Sequence, residues 1–378
     1  MPTWFRAGMF AALFVFATTP SPAAEKTFQD EALNDAATTL EADLKDEAGT
    51  VEKPLIKLRQ EADGLIKSQD LAGAADIYVQ IVTVEPNDAT AWRRLADLWL
   101  LIPATEEDDG STRVERARTA AYIAYQRSTT PDEESASLVT LASAFAKREE
   151  WRSALDALKL SLTLHASPEL QAQYAALREK YGFRVANFSV DSDAASPRAC
   201  FQFSETLPKR TDFSPFVSVV GQDKPALSVD EQQICVEGLQ HGETYSITLR
   251  AGLPSTVGED LLKDAVFNIY VRDRSPSVRL SGKAYVLPRS GQQGIPLVTV
   301  NTDLVKVTIY RIGDRALIDN VLGYEFERNL YSYNLDEIAD QKGEKVWDGE
   351  LKVEKELNQE ITTAFPIVDA VPEMQPGV

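Results

Sequence analysis

Few residues of this chain have the types and spacings that do chemistry. Two histidines, His165 and His241, and two cysteines, Cys200 and Cys235, are its whole supply of imidazole and thiol. A zinc site would need all four together, and their spread along the chain gives no such cluster. His165 in "LTLHASPEL" closes a helical pattern, where a cation suits the carboxyl-terminal dipole, and His241 falls in the turn "LQHGE". Both read as exposed structural residues. Glu106, Glu107, Asp108 and Asp109 are consecutive, whereas a calcium loop spaces its ligands at alternate positions, so "TEEDDGST" reads as a solvated loop. "GQQGIP" lacks the Lys-Ser/Thr of a phosphate-binding loop, and no Gly-x-Ser-x-Gly elbow occurs. Asn187-Phe188-Ser189 matches a glycosylation acceptor, a pattern too common to carry weight. No catalytic set, cofactor or metal is expected, and the chain is read as a non-enzyme.

What remains is binding or scaffolding, and charge narrows it. The chain has 378 residues, 44% hydrophobic and 26% charged, with a formal net charge of -19. That length holds two or three domains, and an excess of acid makes nucleic acid and anionic membrane poor partners. The chain opens "MPTWFRAGMFAALFVFATTPSPAAEK": Arg6 gives a positive end, and Ala7 to Ala17 form an apolar run too short to span a bilayer. It reads as a signal peptide over residues 1–24, with cleavage after Ala23 or Ala24; an uncleaved anchor is the alternative. No Cys near the cut offers a lipid attachment point, so a soluble periplasmic protein is expected. Export gives the cysteines meaning. In an oxidising compartment Cys200 and Cys235 are expected to pair, contributing about 3 to 4 kcal/mol by loop closure; two reduced, buried thiols are the alternative.

Residues 25–182 carry helical patterns. Phe28, Leu33, Ala36, Leu40 and Leu44 form one stripe of an amphipathic helix, and Asp30, Glu31, Asp35, Glu41, Asp43, Asp46 and Glu47 form a solvated face. After Leu55 a period near 34 emerges. Ala74, Tyr78, Ile81 and Pro86, then Trp92, Leu95, Ala96 and Trp99, then Leu138, Leu141, Ala142 and Phe145, then Ala154, Leu158 and Ser161 repeat the same offsets. Small Ala residues suit close helix crossings, and aromatics fill the gaps beside them. Trp92, Trp99 and Trp151 accordingly read as packing between helices. These segments resemble tetratricopeptide repeats over Leu55 to Pro168, interrupted by the acidic insertion "IPATEEDDGSTR"; a general helical-hairpin solenoid also fits. The concave face is either a groove for a protein partner or part of a helical cap.

From "KYGFRV" onward the period becomes two. In "ETYSITLR", Tyr245, Ile247 and Leu249 share one face, and Val305, Val307 and Ile309 alternate with polar neighbours in "DLVKVTIYRI". Two β-sandwiches are expected, 183–273 and 274–378, each the size of an immunoglobulin-like domain.

The strings "CFQFSETLPK", "ICVEGLQHGETYSITLRAGLPS", "YVRDRSPSVRLSGKAYVLPRSGQQGIPLVTVN" and "VKVTIYRIGDRAL" resemble the opening macroglobulin-like domains of bacterial alpha-2-macroglobulins. "KVWDGEL" and "TTAFPIVDAVPEMQPGV" are similar to the end of the second such domain. The resemblance implies a broad-spectrum endopeptidase inhibitor, in which a protease cuts a bait region and is trapped. It further implies that this chain is the amino-terminal scaffold of a longer protein, its second sandwich cut short at the end. The thioester of many members lies in Cys-x-Glu-Gln; here "CVEG" at Cys235 places Gly238 where Gln is needed, so no thioester residue is expected in this chain. Target proteases are the implied partners. A non-enzymatic envelope scaffold whose helical repeats bind an envelope protein is the second reading.

Overall fold

The computed structural model describes residues 26–105, 109–281, 294–313 and 331–371. The expected cleavage residues Ala23 and Ala24, the acidic residues Glu106, Glu107 and Asp108, and the chain from 372 onward lie outside these. Two compact units divide after Gly182.

The first unit is helical. α1 (Glu31–Ala48) is followed by α2 (Leu55–Lys67), α3 (Leu71–Val84), α4 (Ala89–Leu101), α5 (Ser111–Arg127), α6 (Pro131–Lys147), α7 (Trp151–Leu164) and α8 (Pro168–Tyr181). α2/α3, α4/α5 and α6/α7 pack as successive hairpins, the arrangement of tetratricopeptide-like repeats. Asp30, Asp70, Asp88 and Ser167 each accept a hydrogen bond from the backbone N–H three residues on, and Thr130 with Glu133 forms a capping box. Each satisfies donors that a helix start leaves unpaired. The hairpins α2/α3 and α6/α7 turn alike: Gln69 and Glu149 adopt φ of 63° and 61° at matching places. Ala74, Ala96, Ala120, Ala142 and Ala154 are buried in one core with Trp92, Leu95, Tyr122, Leu141 and Leu158. Small side chains let the helices approach, and the large ones close the gaps.

Two expectations for the first helix need correction. Asp30 caps it, so Phe28 lies outside the helix and instead packs near Tyr122, Tyr125 and Phe145, with ring centroids 6.2 to 6.3 Å apart. The acidic face is not merely solvated: besides Asp30, Glu41 pairs with Arg127 and Glu47 with Arg116. Both arginines come from α5, so these acids hold α1 in place over it.

Among the described residues the second unit is built on antiparallel sheets, with short helical turns at Ser214–Phe216, Ser332–Glu337, Ile338–Lys342 and Ile367–Ala370. β1 (Val185–Asp191), β2 (Arg198–Phe203), β5 (Gln233–Glu237) and β4 (Ala226–Asp230) form one sheet in the order β1-β2-β5-β4; β3 (Val217–Val219), β6 (Thr244–Leu249) and β7 (Ala265–Tyr270) form the other. Phe201, Phe203, Ile234 and Val236 from the first sheet meet Val217, Ile247, Leu249 and Ile269 from the second in a buried core. Alternation is what allows this: every second residue points inward.

A second sandwich follows. β8 (Ser277–Leu280), β9 (Ile295–Val300) and β12 (Glu360–Phe365) make a sheet in the order β12-β9-β8, and β10 (Leu304–Ile312) pairs with β11 (Gly343–Lys352). Leu297 and Phe365 pack with Val305, Val353 and Ile367, and Trp347 meets Phe365 edge-on at 5.3 Å. The register of β10 against β11 shifts at Ile309/Tyr310.

Candidate functional site: a clamped joint between the sandwiches

Between β7 and β8 the chain reads Val271-Arg272-Asp273-Arg274-Ser275-Pro276. Pro276 keeps the residue before it out of the helical region, and in an extended chain Arg272 and Arg274, two positions apart, share one side, from which both reach Asp193. Arg272 takes both oxygens of Asp193, which sits just after β1 in the first sandwich, with Nη1 at 2.9 Å from Oδ1. The backbone N–H of Ser275 donates to the same carboxylate at 2.7 Å. Arg274 reaches both ways. Its Nε donates to the carbonyl of Asp193 at 2.8 Å, while Nη2 donates to Glu360 at 3.0 Å and Nη1 to the carbonyl of Asn358. Its side chain is 9% exposed although it is an arginine, which is the mark of a residue held by partners.

On the second sandwich the receiving surface is built from two asparagines. Asn301 and Asn358 adopt φ of 50° and 63°, a region that asparagine tolerates better than most residues. The backbone N–H of Asn358 donates to the Asn301 side chain at 2.7 Å, and Asn301 Nδ2 donates to the carbonyl of Arg274 at 2.6 Å. Asn358 in turn accepts from the backbone of Arg274 at 2.8 Å and donates to Asp273 at 2.7 Å. The polar backbone of the linker is thus satisfied by side chains from the domains it joins.

Charge follows geometry. The hydrogen bond from Arg272, with that from the Ser275 backbone, holds the Asp193 carboxyl well below the usual carboxylate range. Glu360 is lowered by its hydrogen bond from Arg274 and by the charge of Arg279. Both carboxylates stay ionised through the neutral range, so the arrangement works as a clamp that sets one sandwich against the next.

The residues singled out from sequence lie elsewhere. Cys200 and Cys235 are bonded to each other. His165 follows α7 and faces Asp132 at 2.8 Å, and His241 makes a 3.0 Å contact with the carbonyl of Ser192. Trp92 and Trp99 are buried between helices, and Trp151 stacks on Tyr181 with centroids 3.6 Å apart. A groove of about 520 Å³ between α6 and α8 is lined by Asp132, Val139, His165, Leu170 and Gln173. A smaller one of about 220 Å³ runs on between α4 and α6 past Thr90 and Arg93. Among the described residues no helix is long and apolar enough to cross a membrane.

Sequence reasoning missed the clamp. "VRDRSPS" was informative as a string, yet nothing local says which carboxylates its arginines meet. The one available signal was Asn301 in "VNTD" and Asn358 in "LNQE", since Asn is favoured where the chain turns.

Residues 280–378 match the family model described as the bacterial alpha-2 macroglobulin MG2 domain. Alpha-2-macroglobulin of Escherichia coli (strain K12) is 26% identical over 184 residues, 47% of this chain and 11% of that protein. Its counterpart in Xylella fastidiosa (strain 9a5c) is 22% identical over 209 residues, 52% of this chain and 13% of that protein. A crystal structure of Salmonella alpha-2-macroglobulin covers 53% of this chain and 12% of its own, at 19% identity and a TM-score of 0.35. The chain therefore spans only about an eighth of the length of the curated relatives it matches.

Proposed function

We propose, with the resemblance to bacterial alpha-2-macroglobulins as premise, that this chain is scaffold for a protease-trapping inhibitor of the periplasm, exported by its leader and free of enzymatic activity. The observation that carries the reading is the match of residues 280–378 to the MG2 domain of that family. The chemistry of the chain agrees with a scaffold role. Cys235 is committed to Cys200 and is not free to form a thioester, and the clamp orients domains rather than reacting. Bait and any thioester belong to other parts of the whole protein, and target proteases are its partners.

The test uses the whole protein. After a protease has cut it, that protease is expected to keep hydrolysing a small peptide substrate while losing most of its activity on a large protein substrate. Full digestion of the large substrate by the treated protease would sink the trapping reading.

A second reading concerns the helical unit alone. The groove along α4, α6 and α8 supports a role in binding a protein of the cell envelope. Saturable binding of one purified envelope protein, lost on Val139→Glu, would favour it; binding that survives this change would place the contact elsewhere.

A further inference from the structure

The bond between Cys200 and Cys235 joins residues that already face each other directly across β2 and β5. Alternation decides which face they occupy. Ala199, Phe201 and Phe203 on β2, and Ile234 and Val236 on β5, lie in the apolar core. The two cysteines are one step out of phase with these, so they lie on the opposite, outer face of the sheet.

That face is polar. Arg198 and Gln202 flank Cys200 along its strand, and Gln233 and Glu237 flank Cys235 along its own. In the row across the sheet the neighbours are small: Ser189 opposite Cys200 on β1 and Ser228 opposite Cys235 on β4. Both serines are exposed, and the Ser228 hydroxyl is turned toward Glu237. The cysteines are 6% and 5% exposed, but what stands beside them on this face is polar side chains and not the core. Besides the disulfide, β2 and β5 are joined by a ladder that pairs Ala199 with Val236, Phe201 with Ile234 and Gln202 with Gln233, so breaking the bond is expected to leave the sheet formed.

We propose that Cys200–Cys235 is a thiol–disulfide exchange site, reducible in the folded protein by a protein dithiol approaching over the Ser189–Ser228 row. The donor's thiolate attacks one cysteine sulfur, forms a mixed disulfide and expels the other cysteine as a thiolate, which takes up a proton. The donor's second thiol, deprotonated, then attacks its own sulfur in the mixed disulfide and releases the first cysteine. The cystine gains two electrons and two protons, and the dithiol becomes a disulfide.

The experiment treats the full chain, without denaturant, with dithiothreitol and then with a thioredoxin-type dithiol protein, alkylates free thiols and locates the label by peptide mass. Amide hydrogen exchange is followed in parallel. Labelling of Cys200 and Cys235 while the amides of Phe201, Ile234 and Val236 stay protected is the expected result. Labelling that appears only as those amides lose protection would overturn the proposal. A variant with Ser189→Leu and Ser228→Leu covers the row; its labelling by the dithiol protein is expected to slow by about tenfold or more, as hindered access slows exchange. An unchanged rate in that variant, with the fold intact, would also overturn it.

Discussion

Arg274 touches Asp193 on one sandwich and Glu360 on the next, at 2.8 and 3.0 Å. A single side chain thus spans the joint, with Arg272 holding the Asp193 carboxylate beside it. A pair of spin labels at Val220→Cys and Lys306→Cys, both exposed sites, measures the consequence. One narrow distance is expected with the native residues and a broad spread with Arg274→Ala. A narrow, unchanged distribution in Arg274→Ala would remove the clamp from the account.

Acid should open the same joint. Asp193 and Glu360 both have lowered pKa values in the closed arrangement. A lowered carboxylate favours the closed state above its free value and loses that contribution as pH falls through the lower one. With free values of about 3.9 and 4.3, the joint is expected to hold at neutral pH and to loosen below about pH 4. Both groups are solvent-exposed, so added salt should weaken the clamp as well. Label distances recorded against pH check the sign: narrowing on acidification would contradict it.

Trp92 anchors the helical unit. It is 1% exposed, and its indole N–H donates to the carbonyl of Pro86 at 2.9 Å, tying α4 to the turn that ends the preceding hairpin. Trp92→Ala removes one of the tryptophans buried in that core and is expected to cost about 3 to 5 kcal/mol. Urea unfolding followed by helical circular dichroism would show it; a loss below about 1 kcal/mol would mean that the hairpins do not share one core.

The fold was largely legible because its signals are local. Tyr245, Ile247 and Leu249 announced β6 by alternation, and Trp92, Leu95, Ala96 and Trp99 announced α4 by helical spacing, since burial on one face dictates both periods. Phe28 was placed in the helix because its spacing fits, but the Asp30 cap outranked spacing. The joint was not legible. Asp193 and Arg272 lie far apart in sequence, and ion pairs in an acidic chain follow no period, so only the closed sandwich brings them together.

Glu259 was invisible for a similar reason, being one acid among many. It is 1% exposed, and its carboxylate accepts from the backbone N–H of Phe183 at 2.9 Å, where the chain enters the first sandwich. Glu259→Ala leaves that buried donor unpaired and should cost about 1 to 3 kcal/mol or more, whereas Glu259→Gln keeps an acceptor and should cost less. Equal melting of the two variants would show that the carbonyl-type oxygen is not what matters there.

The cystine offers the last test, because its effect on stability is separate from its place on the sheet. It closes a loop with a sequence separation of 35, and in the loop-closure account such a bond acts by restricting the unfolded chain. A bond on a polar outer face therefore stabilises as much as one in a core, about 3 to 4 kcal/mol here. The double variant Cys200→Ala with Cys235→Ala, and the native chain under reductant, should both lower the unfolding midpoint of the first sandwich and leave that of the helical unit in place. The two should agree closely, since each restores the same freedom to the unfolded loop. A reductant effect much larger than that of the double variant would show that free thiols disturb the folded sheet, and the loop-closure account would fail for this bond.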